Sequence, residues 1–142
     1  MIDSHVLVGS CAQIGKHVHL SAGVQIGGVL EPIGAAPVII EDHCFIGAGV
    51  MIVEGMIIGQ GAVIAPGVVL SKSIPIYDCV HECILEKGTP IPNHAVVVPG
   101  TRPILSNQWA LEHQLTLNCP IITKYRDDNT NRATTMEEAL RS

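Results

Sequence analysis

Two acids that stand at turns of a short repeat, Asp3 and Glu54, are among the groups in this 142-residue chain that could transfer a proton; seven histidines, five cysteines and eight Lys and Arg complete the chemical inventory. A carboxylate works as a base near neutral pH only when its surroundings, burial above all, lift its pKa from the usual range. Each of these acids also reads as an ordinary corner residue, because the repeat itself admits an acid there. His17 and His19 face one way on an extended segment, but no third histidine stands at a metal-binding spacing, so no metal is expected. The cysteines, Cys11, Cys44, Cys79, Cys83 and Cys119, are odd in number. Cys79-x-x-x-Cys83 lacks the second pair that a zinc site needs, which favours structural thiols in a reducing compartment.

The elements that must position these groups follow from a six-residue period. Branched apolar anchors recur at Ile2, Val8, Ile14, Leu20 and Ile26, then at Ile40, Ile46, Ile52, Ile58, Ile64, Leu70 and Ile76. A small or acidic residue follows most anchors, and a second compact side chain comes four residues on, as at Ala12, Cys44 and Ala62. Six is a multiple of two and not of 3.6, so each unit is a short strand and a turn with all anchors on one side. Three units close one triangular coil, and coils stack as parallel strands about 4.8 Å apart. Sandwich strands would carry turn signals every 8–12 residues. The spacing predicts an all-β chain, a parallel β-helix of about four coils with glycine at the corners and Cys44 facing inward.

The period is interrupted once, between Ile26 and Ile40, where a loop over about 28–39 leaves one corner. Such a loop is either a binding wall or an inert bulge. After Ile76 the pattern fades over 77–86, returns over 87–98 as a last coil, and ends at 99–103. One domain is expected, a β-helix over 1–103 with a C-terminal extension over 104–142. In the extension, 104–116 predicts one or two helical turns and 117–125 a strand. Thr134-x-x-Glu137 has the pattern of a capping box for a short helix through Leu140. Apolar residues make up 47 % and charged residues 15 %, with a net charge of −5, which argues against a nucleic-acid surface. No long uninterrupted apolar stretch and no basic leader is present, so a cytoplasmic protein without membrane attachment is expected.

Several runs carry a family resemblance: Gly9-Ser10-Cys11-Ala12-Gln13-Ile14-Gly15, Gly27-Gly28-Val29-Leu30-Glu31-Pro32, Cys44-Phe45-Ile46-Gly47-Ala48, Ile76-Tyr77-Asp78, and a tail pattern through Leu117, Cys119, Lys124, Thr130, Leu140 and Arg141. Together they resemble tetrahydrodipicolinate N-succinyltransferase of lysine and diaminopimelate biosynthesis, over nearly the whole chain. The resemblance implies a left-handed β-helix, a homotrimer with sites between subunits, and transfer of a succinyl group from succinyl-CoA, or an acyl group from another acyl-CoA, to an amino group. It implies a catalytic acid pair, of which Asp3 matches the first. Where the family carries Arg, Ser and the catalytic Glu, this chain has Gly49, Val50 and Met51, and only the later acid, Glu54, is kept. A thioether accepts no proton, and loss of the guanidinium removes a partner for a substrate carboxylate.

By the same resemblance, Gly27, Gly28 and Glu31 line the acceptor pocket, with simple turn chemistry as the other reading. His43, where the family has Asn, is either a replacement base or a surface histidine. Ala65 and Gly67 flank the coenzyme A arm. The family's Ser-Lys after the last coil is absent, which leaves Arg102, Lys124, Arg126 or Arg132 for the phosphates. Met1 aligns with an internal methionine of the family, so the first coil is expected to be uncovered, with open strand edges. The alternative to an acyltransferase is a β-helix scaffold or regulatory relative that kept the trimeric fold. A metal-dependent hydratase on the same scaffold is disfavoured by the histidine spacing.

Overall fold

The computed structural model describes residues 1–29, 35–127, 129 and 131–134. Up to Leu70 the hexads become two-residue strands: β1 (Leu7–Val8), β2 (Gln13–Ile14), β3 (His19–Leu20), β4 (Gln25–Ile26), β5 (Ile39–Ile40), β6 (Phe45–Ile46), β7 (Met51–Ile52), β8 (Ile57–Ile58), β9 (Val63–Ile64) and β10 (Val69–Leu70). From β1 to β7 each pairs in parallel with the third strand after it, which defines three faces. Face I carries Ile2, Leu20, Ile46 and Ile64; face II carries Val8, Ile26, Ile52 and Leu70; face III carries Ile14, Ile40 and Ile58. Anchors stack in register down the interior, and those from Leu20 to Leu70 are fully buried. Each buried Ile or Leu side chain contributes about 1.5–3 kcal/mol, which makes the ladder the main stabilising element.

Most corners turn through a left-handed backbone, supplied by one residue in most of them and by two, Glu54 and Gly55, in one. Glycine does so at Gly23, Gly49, Gly61 and Gly67, while His5, Cys11, His17, His43 and His94 take the same conformation with a side chain. The corners are thus less glycine-dependent than the pattern suggests. The compact residue that follows, such as Val24, Cys44, Val50 or Ala62, turns inward and is buried. Coil 1 is different: Ile2 is 63 % and Val8 42 % exposed, although both occupy anchor positions. Its chain end is fixed by the Met1 ammonium, which donates to the Val18 carbonyl at 2.7 Å.

Beyond Leu70 the structure departs from the expected beat. Ile76 is not the next anchor of face III. The chain leaves the corner between faces II and III and forms an antiparallel hairpin, β11 (Tyr77–Asp78) with β12 (Cys83–Ile84). It returns at Ile91, which bridges to Ile58 and fills the anchor place. β13 (Ala95–Val98) then stacks on β9 and extends face I.

The C-terminal part also differs in detail. β14 (Thr101–Pro103) is followed by α1 (Gln108–Glu112), whose first turn is capped by the Asn107 side chain accepting from Ala110 N at 2.9 Å. The single strand expected over 117–125 is two: β15 (Thr116–Asn118), paired with β14, and β16 (Ile121–Tyr125). Pro120, which has no N–H to donate, separates them. β16 inserts between β13 and β11, so the tail is built into face I. Residues 131–134 are already helical, and Thr134 Oγ1 donates to the Asn131 carbonyl at 3.0 Å. Thr134 therefore lies within a helical turn instead of capping one; Glu137, Leu140 and Arg141 lie outside the described residues, as do Leu30, Glu31, Pro32 and Thr130.

Candidate active site

The corner between faces II and III carries both excursions of the chain. At the first, Val29 N donates to the Ser10 carbonyl at 3.1 Å and Ser10 Oγ donates back to the Val29 carbonyl at 3.0 Å. Gly28 is forced by this contact, since a Cβ there would stand 2.6 Å from Ser10 N. One coil further on, Glu54 takes the left-handed conformation, at φ 57°. Its Oε2 accepts from Ser71 Oγ and, at 3.2 Å, from Ser73 N, so the carboxylate ties this coil to the next. Between the two excursions lies a cleft of about 460 Å³ lined by Gly27, Gly28, Val29, Ala36, Glu54 and Lys72, among others.

The hydrogen bond from Ser71 holds the Glu54 carboxyl below the usual carboxylate range, helped by the backbone N–H groups of Ser73 and Lys72. A general base working at neutral pH needs the opposite shift. Glu54 is thus ionised and anchored, with the electrostatics of a binding or latch residue.

Asp3 stands on the corner between faces I and II, where its Oδ1 accepts from Ser4 N at 2.7 Å. Glu54 lies on another corner, so one chain does not bring the two acids together. His43 occupies the third corner, between faces III and I, with its ring stacked on His17 at 5.1 Å and 12°. Met51 is on face II between Gln25 and Val69, 41 % exposed. His43 is close to that patch in sequence but faces away from it in the fold.

The other sequence candidates are dispersed. Ala65 and Gly67 stand on the I–II corner of the fourth coil, and the position a Cβ of Gly67 would take is open. Lys124 pairs with Asp127 at 3.3 Å. Arg126 donates to Asn131 Oδ1 (2.8 Å), to the carbonyls of His43 (3.3 Å) and Gly61 (3.2 Å), and to Thr134 Oγ1 (3.4 Å), which makes it a clamp on the III–I corner. Arg102, half-buried on β14, keeps a buried Nε without a hydrogen-bond partner. Lys72, which the sequence reading passes over, is the cation among the described residues that line the cleft. The signal was available: Lys72 follows Glu54 by three hexads, so the period stacks them on one corner.

A second polar cluster was also missed. Asp78, buried at the base of the hairpin, accepts from Val80 N and His81 N through Oδ1 and from Tyr125 OH and His81 Nδ1, both at 2.8 Å, through Oδ2. Burial pushes its pKa up, but the hydrogen bonds from His81, Tyr125 and Val80 outweigh that and hold it low. Burial, with the Asp78 carboxylate beside it, raises the Tyr125 hydroxyl to about 12. Long-range pairing of β16 with β11 creates this cluster, which joins hairpin to tail. Among the described residues no group of three or more His, Cys, Asp and Glu is arranged to hold a metal ion.

Residues 37–72 match the profile of the hexapeptide repeat of succinyl-transferase. Over 99 % of its length the chain is 49 % identical to the 2,3,4,5-tetrahydropyridine-2,6-dicarboxylate N-succinyltransferase of Bartonella bacilliformis, of which it covers 49 %. The enzymes of the same name from Dechloromonas aromatica and Polynucleobacter asymbioticus are 47 % and 48 % identical over 99 % of the chain. The chain spans about half the length of the curated relatives it matches. Fold and repeat together define a left-handed parallel β-helix of the hexapeptide-repeat class. Within that class the chain is homologous, over nearly its whole length, to tetrahydropyridine-dicarboxylate N-succinyltransferases.

Proposed function

We propose that this chain is the β-helix part of an acyl-CoA-dependent N-acyltransferase, with succinyl-CoA or another acyl-CoA as co-substrate and a small amine as acceptor. The observation that carries the reading is the 49 % identity to an N-succinyltransferase spread over 99 % of the chain. In this mechanism a base takes the amine proton as nitrogen attacks the thioester carbonyl, backbone N–H groups hold the oxyanion, and the coenzyme A thiol leaves. Asp3 is the residue assigned to proton transfer. Gly27 and Gly28 form the floor of the acceptor cleft, with Glu54 on its wall. Ala65 and Gly67 flank the pantetheine arm, and Arg102 is the cation assigned to a phosphate. Asp3 and the cleft lie on different corners, and a homotrimer that sets one corner against a neighbour's would complete the site. The reading includes a cytoplasmic setting and a role in lysine and diaminopimelate biosynthesis. The net charge of −5 supports a small-molecule substrate over nucleic acid.

Met51 favours a second reading. A scaffold or regulatory relative would keep the trimeric β-helix and lack turnover, and the engagement of Glu54 with Ser71 and Ser73 supports it. Supplying succinyl-CoA or acetyl-CoA with tetrahydrodipicolinate separates the two. The enzyme reading expects amine-dependent thiol release that Asp3→Asn reduces at least a hundredfold; saturable coenzyme A binding without turnover establishes the scaffold.

A further inference from the structure

The polar cluster at the base of the β11–β12 hairpin orients a histidine as well as joining hairpin to tail. Asp78 is 3 % exposed, and its Oδ2 accepts from His81 Nδ1 at 2.8 Å. A carboxylate accepting there fixes the neutral ring as the Nδ1–H tautomer, which leaves Nε2 as the basic atom. Tyr125 holds the same ring edge-on, at 5.2 Å and 76°. The His81 side chain is nonetheless 61 % exposed, and among the described residues its Nε2 has no hydrogen-bond partner. Thiols stand beside this base. In the hairpin register Cys83 is opposite Asp78, and cross-strand partners carry their side chains on one side of the ribbon. The Tyr125 hydroxyl, which donates to Asp78 and lies 3.3 Å from His81 Nδ1, also has Cys83 among the charges around it. The turn closes at Glu82, left-handed at φ 53°, which returns the chain to the strand at Cys83. Asp78, Cys79 and Cys83 line a cleft of about 530 Å³ that shares no residue with the one lined by Glu54 and Lys72. The proposed amine acylation uses none of these groups.

We propose that Cys83, His81 and Asp78 form a nucleophilic thiol site that takes the acyl group of a thioester and holds it as S-acyl-Cys83. His81 Nε2 accepts the Cys83 proton as the sulfur attacks the thioester carbonyl. The donor's carbon–sulfur bond then breaks, and its leaving thiolate takes the proton back from the imidazolium. One thioester replaces another, so the step needs neither oxidant nor reductant. Asp78 touches neither the sulfur nor the acyl group and acts through His81 as a positioning residue. The assignment rests on the acyl-CoA-dependent reading only for the natural donor, since a truncated thioester meets the same groups without coenzyme A.

Incubation of the full chain with S-acetyl-N-acetylcysteamine tests this, with acetylated thiols mapped by peptide mass spectrometry and told from acetylated amines by release with hydroxylamine. At about pH 7, Cys83 should be acetylated at least tenfold faster than Cys11, an exposed thiol of the first coil. His81→Gln should remove that advantage at about pH 7 but not above about pH 10, where a thiol ionises unaided. A merely structural role for His81 would lower the rate at both. Asp78→Asn should show the same pH-dependent loss, and Cys79→Ser should leave Cys83 reactive. Circular dichroism melts separate lost chemistry from lost structure; where Asp78→Asn does not fold, the exposed His81→Gln decides. Equal acetylation of Cys83 and Cys11, acetylation at Cys79 instead, or a folded His81→Gln as fast as wild type at about pH 7 overturns the assignment. The acyltransferase reading fails by a different measurement, amine-dependent thiol release from succinyl-CoA.

Discussion

Glu54 is a carboxylate held down by a serine, and that choice fixes what it can do. Its folded pKa lies below the ordinary 4.5 because Ser71 and the following backbone N–H groups stabilise the charged form. The stabilisation is therefore fully present above about pH 4.5 and is lost as pH falls through the folded value. Ser71→Ala should return the Glu54 titration to the ordinary range by carbon NMR and flatten the acid limb of the melting curve; an unchanged titration would remove Ser71 as the cause. Thiols make a second residue-scale prediction. Cys44 is buried, donates to the Gly59 carbonyl, and is pushed up to about 11 by desolvation. Cys119 is likewise buried and raised, while Cys11, Cys79 and Cys83 are exposed. A disulfide reagent near neutral pH should modify those three in the native protein and reach Cys44 and Cys119 only after unfolding. The inward place of Cys44 was legible because the period states which way each position faces. Lys72 was not singled out, because a lone cation acquires meaning only when coils stack it beside Glu54.

At the level of elements, the ladder from Leu20 to Leu70 follows directly from the spacing of its anchors. The first excursion was legible too, because anchors cannot be drawn through the stretch between Ile26 and Ile40. The second was hidden, since Ile76 keeps the six-residue beat and stays buried in the core, although its place on Ile58 is taken by Ile91. What displaces it is tertiary: Ser71 and Ser73 are held by Glu54, and Tyr77–Asp78 pairs with Ile121–Ile122 from the distant tail. No local pattern announces a partner that far along the chain. Ile91, not Ile76, stands on Ile58, and the two should behave as one ladder. Ile91→Ala and Ile58→Ala should each cost about 2–5 kcal/mol by denaturant unfolding. A loss well below about 1 kcal/mol for Ile91→Ala would contradict its place as an anchor.

Taken as a whole, the molecule is a regular column whose three corners carry different tasks. One corner bears both excursions and the cleft with Glu54 and Lys72. Another is clamped by Arg126, and the third carries Asp3 and the open position at Gly67. Exposed apolar side chains at Leu105 and Trp109 lie outside the coils, in the C-terminal part. The likeness to the succinyltransferases was legible from runs such as Gly9–Gly15, whose residues meet physical needs: Gly9 packs where a Cβ would stand 2.3 Å from Gly28 N. The proposed activity was less legible, because it turns on what Met51 replaces and on which corners would meet in the proposed trimer. The direct test is coenzyme A thiol release from succinyl-CoA by the purified chain, with and without tetrahydrodipicolinate, for wild type and Met51→Glu. The account predicts amine-dependent release by wild type and at least a tenfold gain in Met51→Glu. No release from either protein, where a full-length relative turns over under the same conditions, would contradict it.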